Sequence, residues 1–443
     1  MKSNTDKFKA AYHLSDGHLS RKIIANSPFP IEKIKAVSSR IFYGGRAKRV
    51  YINDEKFGIP FVESSDMLKS DFFNLKLISK KYTKNLDAFF VKKGWTLVSR
   101  SGTIGNTAYT NKEFDGKAAS EHIIRVIPND KIYSGYLYAY LSSKYGYNLL
   151  TQGTFGAVIL HIEPDYIADL PIPLPPEGQQ QAIHNLIEQS ATLREEANVL
   201  LREEIEKKYY TEEKKEKVFI INAKDIFNGD KYTNEKRLEV DYYQPNTQKG
   251  IEKIKEENWA LLGDLCSDIT ISNLRARTFV KKGITLFTGQ ALGLTKPDES
   301  KQLSMKLTKN ITQNITRNDD ILVSAFGTLG KTELAFNNFY TGIFASQQLC
   351  RIRTVKDKIH PGYLFLFLKS LIGQKQILKF KIGSVIEWLN SHNFASIVVP
   401  IPKDARLRLG EIAYEICNKR YKALNLENAA ITQLENTIAL WQN

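Results

Sequence analysis

The chain of 443 residues has little of what a secreted, membrane or metal-dependent protein is built from. It has three cysteines, Cys266, Cys350 and Cys417, and no two are close together. A disulfide-built framework is therefore excluded, and a reducing compartment is expected. Seven histidines are scattered without metal-ligand spacing. Long hydrophobic runs are missing: the most apolar stretch, Tyr363–Leu368, is far shorter than the ~20 residues of a membrane span. Met1–Gly17 is polar and does not read as a signal peptide, so a cytoplasmic protein with no membrane partner is expected. Negative charge is the scarcer sign, with 48 acidic against 63 basic side chains, a net +15.

What is present is a sequence that repeats itself. Gly94–Thr107 reads GWTLVSRSGTIGNT and Asp319–Thr332 reads DDILVSAFGTLGKT, at a constant offset of 225 positions. Gly58-Ile59 returns as Gly283-Ile284 at that offset. Ala119-Ser120 and Arg125 return as Ala345-Ser346 and Arg351, one position later, and Gly156, Val158 and Ile159 as Gly383, Val385 and Ile386, two positions later. Each copy closes on Pro-Ile-Pro, Pro171–Pro173 and Pro400–Pro402. A period of half the chain implies a duplicated domain plus connector, folding with approximate two-fold symmetry. The length agrees with two or three domains.

The charge follows the repeat. Residues 1–176 carry 25 basic and 16 acidic side chains and residues 218–402 carry 25 and 17, whereas 177–217 and 403–443 are close to neutral. Two basic bodies on near-neutral spacers fit a polyanion gripped at two places, most simply a nucleic acid. The alternative is a basic protein whose lysines are only solvated.

The modules read as mixed α/β. Trp95–Ser99 and Ile321–Ser324 are β-branched apolar runs that stop at Gly-Thr-x-Gly, a strand running into a turn whose glycines need positive φ or close approach. Tyr136–Ser142 and Tyr363–Ser370 read as buried helices, and the proline runs as rigid lead-ins that cannot continue a helix or central strand. After each proline run comes a long helix, 177–217 and 403–443, the second with Asp404 as its N-cap. Ile183, Leu186, Leu193, Ala197 and Leu200, interrupted by Ser190, mark an apolar stripe in the first. Leu409, Ile412, Ile416, Ala423, Leu426 and Ala430 mark the matching stripe in the second. Spacings of three and four predict an antiparallel coiled coil between them; two amphipathic helices, each lying on its own domain, are the alternative. If 177–217 were all helix it would be roughly 60 Å long, more than one ~34–36 Å turn of DNA.

Taken together, these features resemble the specificity subunits of type I restriction–modification systems. The resemblance rests on the order module, Pro-rich lead-in, long helix, twice over, and on the repeated L-V-S-x-x-G-T-x-G, the G-x-V-I element and the P-I-P entry. Trp259–Leu265 (WALLGDL) is similar to the opening of that family's target-recognition domains, and Arg237–Pro245 (RLEVDYYQP) to a lead-in of the second one. The first copy departs, offering only Phe29–Ile34 (FPIEKI). The resemblance implies two target-recognition domains, 1–176 and 218–402, with a central spacer helix 177–217 and a C-terminal one 403–443. It implies a protein without chemistry of its own: each domain reads half of a bipartite double-stranded DNA target, and the helices set the gap and dock adenine methyltransferase subunits, expected to be two. Those partners would flip the target adenine from the stack, and a motor-nuclease subunit can join. S-adenosylmethionine, ATP and magnesium are expected on the partners, with no cofactor or metal on this chain. A related type II methylase-nuclease system would use the same kind of subunit.

Enzyme motifs are sparse. No adenine-methylase [DNS]-P-P-[FYW] occurs, since Pro175-Pro176 is followed by Glu177. Ala325–Thr332 (AFGTLGKT) fits a relaxed phosphate-binding loop, the basis of an alternative NTPase reading, but its counterpart Arg100–Thr107 (RSGTIGNT) has no lysine. Pro297–Lys301 (PDESK) reads as a surface loop. A stand-alone DNA-binding regulator would share the basic modules, but two loosely related copies suit a palindrome poorly.

Candidate DNA contacts follow from residue type. Arg40, Tyr43, Arg46, Lys48 and Arg49 interleave aromatics and guanidinium groups around Gly44-Gly45, suited to base edges or phosphates. Lys80, Lys81 and Lys84 suit phosphate. Arg275, Arg277, Lys281 and Lys282 take the comparable part in the second module, with Gln290 a possible adenine reader and Lys331 a further contact. Arg100 and Ser101 against Ala325 and Phe326 differ inside a shared frame, as base-reading positions should.

Overall fold

The computed structural model describes residues 15–46, 48–73, 75–154, 161–205, 218–227, 231–233, 237–273, 276–297, 299–308, 311–402 and 406–442. The chain forms two compact units, one of residues 1–195 with 422–443 and the other of residues 196–421. Each unit holds one copy of the repeat and a part of each long helix.

In the first unit the strands Ser38–Phe42, Ile123–Pro128, Thr96–Ser99 and Thr107–Tyr109 pair antiparallel in that order. Successive side chains of a strand point to opposite faces, and both faces here are covered. Val98, Ile124 and Val126 pack with the buried helix Ser134–Ser142. Leu97 and Ile123 join a second cluster with Val62, Val91 and Ala119. The second unit repeats the order with Cys266–Ile271, Leu349–Thr354, Asp320–Ser324 and Thr332–Leu334, and Ile321, Val323 and Ile352 pack with the helix Pro361–Lys369. Each unit adds a short parallel pairing, Phe61 and Val62 with Ala118 and Ala119, and Leu286 and Phe287 with Phe344 and Ala345.

The proline elements are strands in small two-stranded sheets, where each is an edge and the missing N–H costs little. Pro171–Pro173 pairs with Ile31–Lys33 and Val398–Pro400 with Trp259–Leu261. Ile31–Lys33, inside the divergent FPIEKI, thus does the same work as the start of WALLGDL.

The repeated arginine is internal. Arg125 is fully buried and its guanidinium donates to the carbonyls of Phe89 (3.0 Å), Ser120 (3.0 Å), Ile123 (2.7 Å) and Ala119. Burial pushes its pKa down to about 10, which still leaves it charged at neutral pH. Arg351 donates to the Gln313 carbonyl and the Asp268 carboxylate.

The long helices are Glu177–Glu204 and Arg406–Ala439. Residues 206–217 and Asp404, the expected N-cap, lie outside the described residues. The buried line of the first helix corrects the expected stripe. It runs through Gln180, Ile183, Ile187, Ser190, Ala197 and Leu201, while Leu186, Leu193 and Leu200 are half-buried beside it. Ser190 is therefore part of the line, because its hydroxyl donates to the Ala423 carbonyl at 2.7 Å and so remains satisfied when buried. In the second helix Leu409, Ile416, Ala423 and Ala430 are buried, whereas Ile412 and Leu426 are half-buried. Within each unit the two helix segments run antiparallel. In the first, Ser190 meets Ala423 while Ile183 and Leu434 lie in one cluster. In the second, Lys419 pairs with Glu196 at 2.7 Å and Arg408 with Glu204 at 2.8 Å. Polar groups interrupt both seams: Arg194 pairs with Glu427 at 2.6 Å, and Arg420 with Glu333 at 3.1 Å and Asn198 at 3.2 Å.

One exchange between the copies concerns the start of the buried helix. In the first unit His184, on the spacer helix, accepts from the Gly135 amide at 3.1 Å through Nδ1. In the second, His360 precedes the buried helix and accepts from the Gly362 amide at 3.1 Å. The spacer position equivalent to His184 is then Gly410, where a Cβ would lie 2.1 Å from the His360 ring. The imidazole is supplied from opposite sides of the same junction. No helix among the described residues is long and apolar enough to cross a membrane.

Candidate nucleic-acid interface

The Gly-Thr-x-Gly turns have one construction in both units. Gly102, Gly105, Gly327 and Gly330 have φ of 79°, 84°, 75° and 83°, a region costly for any residue with a Cβ. The preceding serine braces the turn from within: Ser99 Oγ donates to the Thr103 carbonyl at 2.5 Å and accepts from the Asn106 amide at 3.0 Å. Ser324 Oγ does the same with Thr328 at 2.6 Å and Lys331 at 2.8 Å. The turn closes a β-hairpin onto Thr107–Tyr109 or Thr332–Leu334. A phosphate-binding loop must run into a helix N-terminus, whose amides meet the phosphate. Here the chain continues as a strand, and Lys331 Nζ lies 3.4 Å from the Gly289 carbonyl, so the NTPase reading fails on geometry.

Beside each turn, three backbone segments lie in register. The Arg100 amide donates to the His122 carbonyl at 2.8 Å and the Ile162 amide to the Arg100 carbonyl at 3.1 Å. The Ala325 amide donates to Gln348 at 2.8 Å and the Leu389 amide to Ala325 at 2.9 Å. Ser101 bridges to His161 as Phe326 bridges to Trp388. The backbone is shared and the side chains are not.

On that backbone the sequence candidates divide. Arg100 and Ser101 are buried: the guanidinium is 2.6 Å from Glu163 and stacks over the Tyr43 ring at 4.3 Å, while Ser101 Oγ is 2.7 Å from His122 Nδ1. Arg100 is thus a buried, paired guanidinium rather than a free surface cation. Phe326 is 42% exposed beside Trp388, and the G-x-V-I loop next to it presents Val385 and Ile386 to solvent. Its counterpart at 156–159 lies outside the described residues.

The basic candidates are mostly available. Arg46, Lys48, Lys81 and Lys84 are exposed, as are Lys281, Lys282 and Gln290. Exposed Arg40 lies over the Phe42 ring at 3.9 Å, and Lys80 donates to the Lys56 carbonyl at 3.1 Å. Arg49 is half-buried, 2.8 Å from Glu121, and Arg277 donates to Gln347 Oε1. Arg275 lies outside the described residues. Sequence reasoning passed over Glu121, His122, Gln347 and Gln348, although a signal was there: each pair directly follows a repeated Ala-Ser.

No group of three or more His, Cys, Asp or Glu side chains that could hold a metal occurs among the described residues. The long helices carry a cleft in the first unit, lined by Asn185, Gln189, Leu193, Lys422 and Leu426 among others.

Comparison with known proteins follows the same two-copy division. The family described as type I restriction modification DNA specificity domain matches residues 44–207 and again 202–436. Among solved structures, the chain is similar to the S subunit of a type I restriction-modification system from M. genitalium, with 13% identity over 94% of this chain and 95% of that one and a TM-score of 0.32. HsdS from Thermoanaerobacter tengcongensis shares 14% identity over 93% and 96%, with a TM-score of 0.30. A chain from a study of complex assembly and conformational transition of the type I R-M system shares 15% over 94% and 96%, with a TM-score of 0.29. With both copies matched across most of its length, the chain belongs to the type I restriction–modification DNA specificity family and is a specificity subunit with two target-recognition domains.

Proposed function

We propose that this chain is the non-catalytic DNA-reading part of a type I restriction–modification complex, in which each module, 1–176 and 218–402, binds one half of a bipartite target. The observation that carries this is the shared backbone at the Gly-Thr-x-Gly turn with different side chains on it, the arrangement expected for two related readers of two different half-sites. The exposed Arg46 and Lys48 in one module and Lys281 and Lys282 in the other supply cations for phosphate. The connectors 177–217 and 403–443, which contain the helices Glu177–Glu204 and Arg406–Ala439, act as spacers. Their half-buried leucines, Leu186, Leu193, Leu200 and Leu426, with Ile412, offer apolar surface for two adenine methyltransferase subunits, with restriction subunits joining the complex. S-adenosylmethionine, ATP and magnesium belong to those partners.

The test is reconstitution. The purified chain alone should transfer no methyl group and hydrolyse no ATP, and methylation of one bipartite sequence should appear when methyltransferase subunits are added. ATP turnover by the isolated chain, abolished by Lys331→Ala, would overturn the non-catalytic reading.

A further inference from the structure

We propose that the dipeptide following the repeated Ala-Ser, Glu121-His122 in the first module and Gln347-Gln348 in the second, determines the bases each half-site must carry. This rests on the reading that each module binds one half-site, and it names the residues that make the two readings differ. The backbone places both dipeptides identically, since His122 and Gln348 accept from the Arg100 and Ala325 amides at 2.8 Å each. Only the side chains distinguish the sites.

In the first module His122 is held by one edge. Its Nδ1 is 2.7 Å from the buried Ser101 hydroxyl, the ring is 43% exposed, and Nε2 lies 3.8 Å from the Glu121 carboxylate. With the Ser101 hydroxyl donating to Nδ1, the proton of the neutral ring sits on Nε2. The outward edge becomes a single donor, complementary to a purine N7 or a carbonyl oxygen of a base. Ser101 is thereby a positioning residue.

Glu121 positions a second group. It is buried, its Oε1 binds Arg49 at 2.8 Å, and its Oε2 has no hydrogen-bond partner. One-point attachment leaves the other guanidinium nitrogens of Arg49 to approach a base or phosphate, with the charge partly balanced by the carboxylate. In the second module a different arginine, Arg277, is held by the amide Gln347. A neutral anchor leaves that guanidinium its full charge. Gln348 replaces the imidazole, its Oε1 taken by the Gly289 amide at 3.1 Å and its NH2 left as the donor.

The experiment uses the full chain with its methyltransferase subunits, sequencing methylated sites from cells and measuring methylation of duplexes changed at one base pair. H122Q, at a half-buried side chain, should lower discrimination at one or more positions of a single half-site by about 10-fold or more. Q347E should do so in the other half-site only, and E121Q in the same half-site as H122Q. Unchanged discrimination by H122Q and Q347E in complexes that still methylate would overturn the inference while leaving DNA recognition by the modules intact. A change in both half-sites from either single variant would overturn it as well. If the unmodified complex methylated no bipartite sequence, the proposed function itself would fall, and this inference with it. Loss of all methylation by H122Q, with DNA binding retained, would also count against it, because a base reader acts on binding.

Discussion

Replacing Ser324 with alanine tests whether the serine brace holds the Gly-Thr-x-Gly turn in place. The hydroxyl is buried, donates to the Thr328 carbonyl at 2.6 Å and accepts from the Lys331 amide at 2.8 Å. Ser324→Ala removes both bonds at once. Thr328 is exposed, so water can reclaim its carbonyl and that loss is small. The Lys331 amide lies in a half-buried position, and an unsatisfied amide there costs about 1–2 kcal/mol. The change should appear locally, as faster hydrogen exchange at Lys331 by about 5- to 30-fold relative to the unmodified chain, with exchange in the first module unaltered. A matching Ser99→Ala variant should accelerate the Asn106 amide instead, since Asn106 donates to Ser99 Oγ at 3.0 Å. Because the turn supports Ala325 and Phe326, binding of duplexes bearing only the second half-site should weaken for Ser324→Ala and hold for Ser99→Ala. Exchange at Lys331 unchanged within about twofold would refute the brace, and with it the view that this serine recurs for a mechanical reason.

Two further outcomes are expected. Burial holds the pKa of His184 and His360 below the ordinary value of 6.5, and each ring must be neutral at Nδ1 to accept a helix amide. The unfolded chain therefore takes up protons more readily, so their contribution is complete above about pH 6.5 and declines as pH falls toward the depressed values. Melting curves should show this acid loss reduced in His184→Gln and His360→Gln, and an unchanged pH profile would contradict it. Inserting four residues near Glu203 lengthens the spacer by roughly 6 Å at ~1.5 Å per residue, close to two base pairs at ~3.4 Å each. It should alter the length of the unspecified gap in sequenced methylated sites and leave both half-sites intact; an unaltered gap in a fully active complex would refute the spacer role.

What the sequence determined by itself was whatever depends on neighbours along the chain. The hairpin at Ile321–Thr332 needs a β-branched run, two glycines at positive φ and a small hydroxyl, and all of it is written within twelve residues. The buried helices Ser134–Ser142 and Pro361–Lys369 were legible for the same reason, and the repeat made each copy evidence for the other. The tertiary structure decided what depends on partners far apart. Arg100 reads as a free cation until the fold places Glu163 2.6 Å away and Tyr43 beneath it. Ser190 reads as a break in a stripe until the Ala423 carbonyl meets it. Glu121 and His122 gain their significance only when the fold brings Arg49 and Ser101 to them. Hydropathy spacing records which side of a helix or strand is apolar, and says nothing about which distant polar group satisfies a buried one. That pairing belongs to the folded structure, and it is what separates a charge in solvent from a charge held in place by a partner.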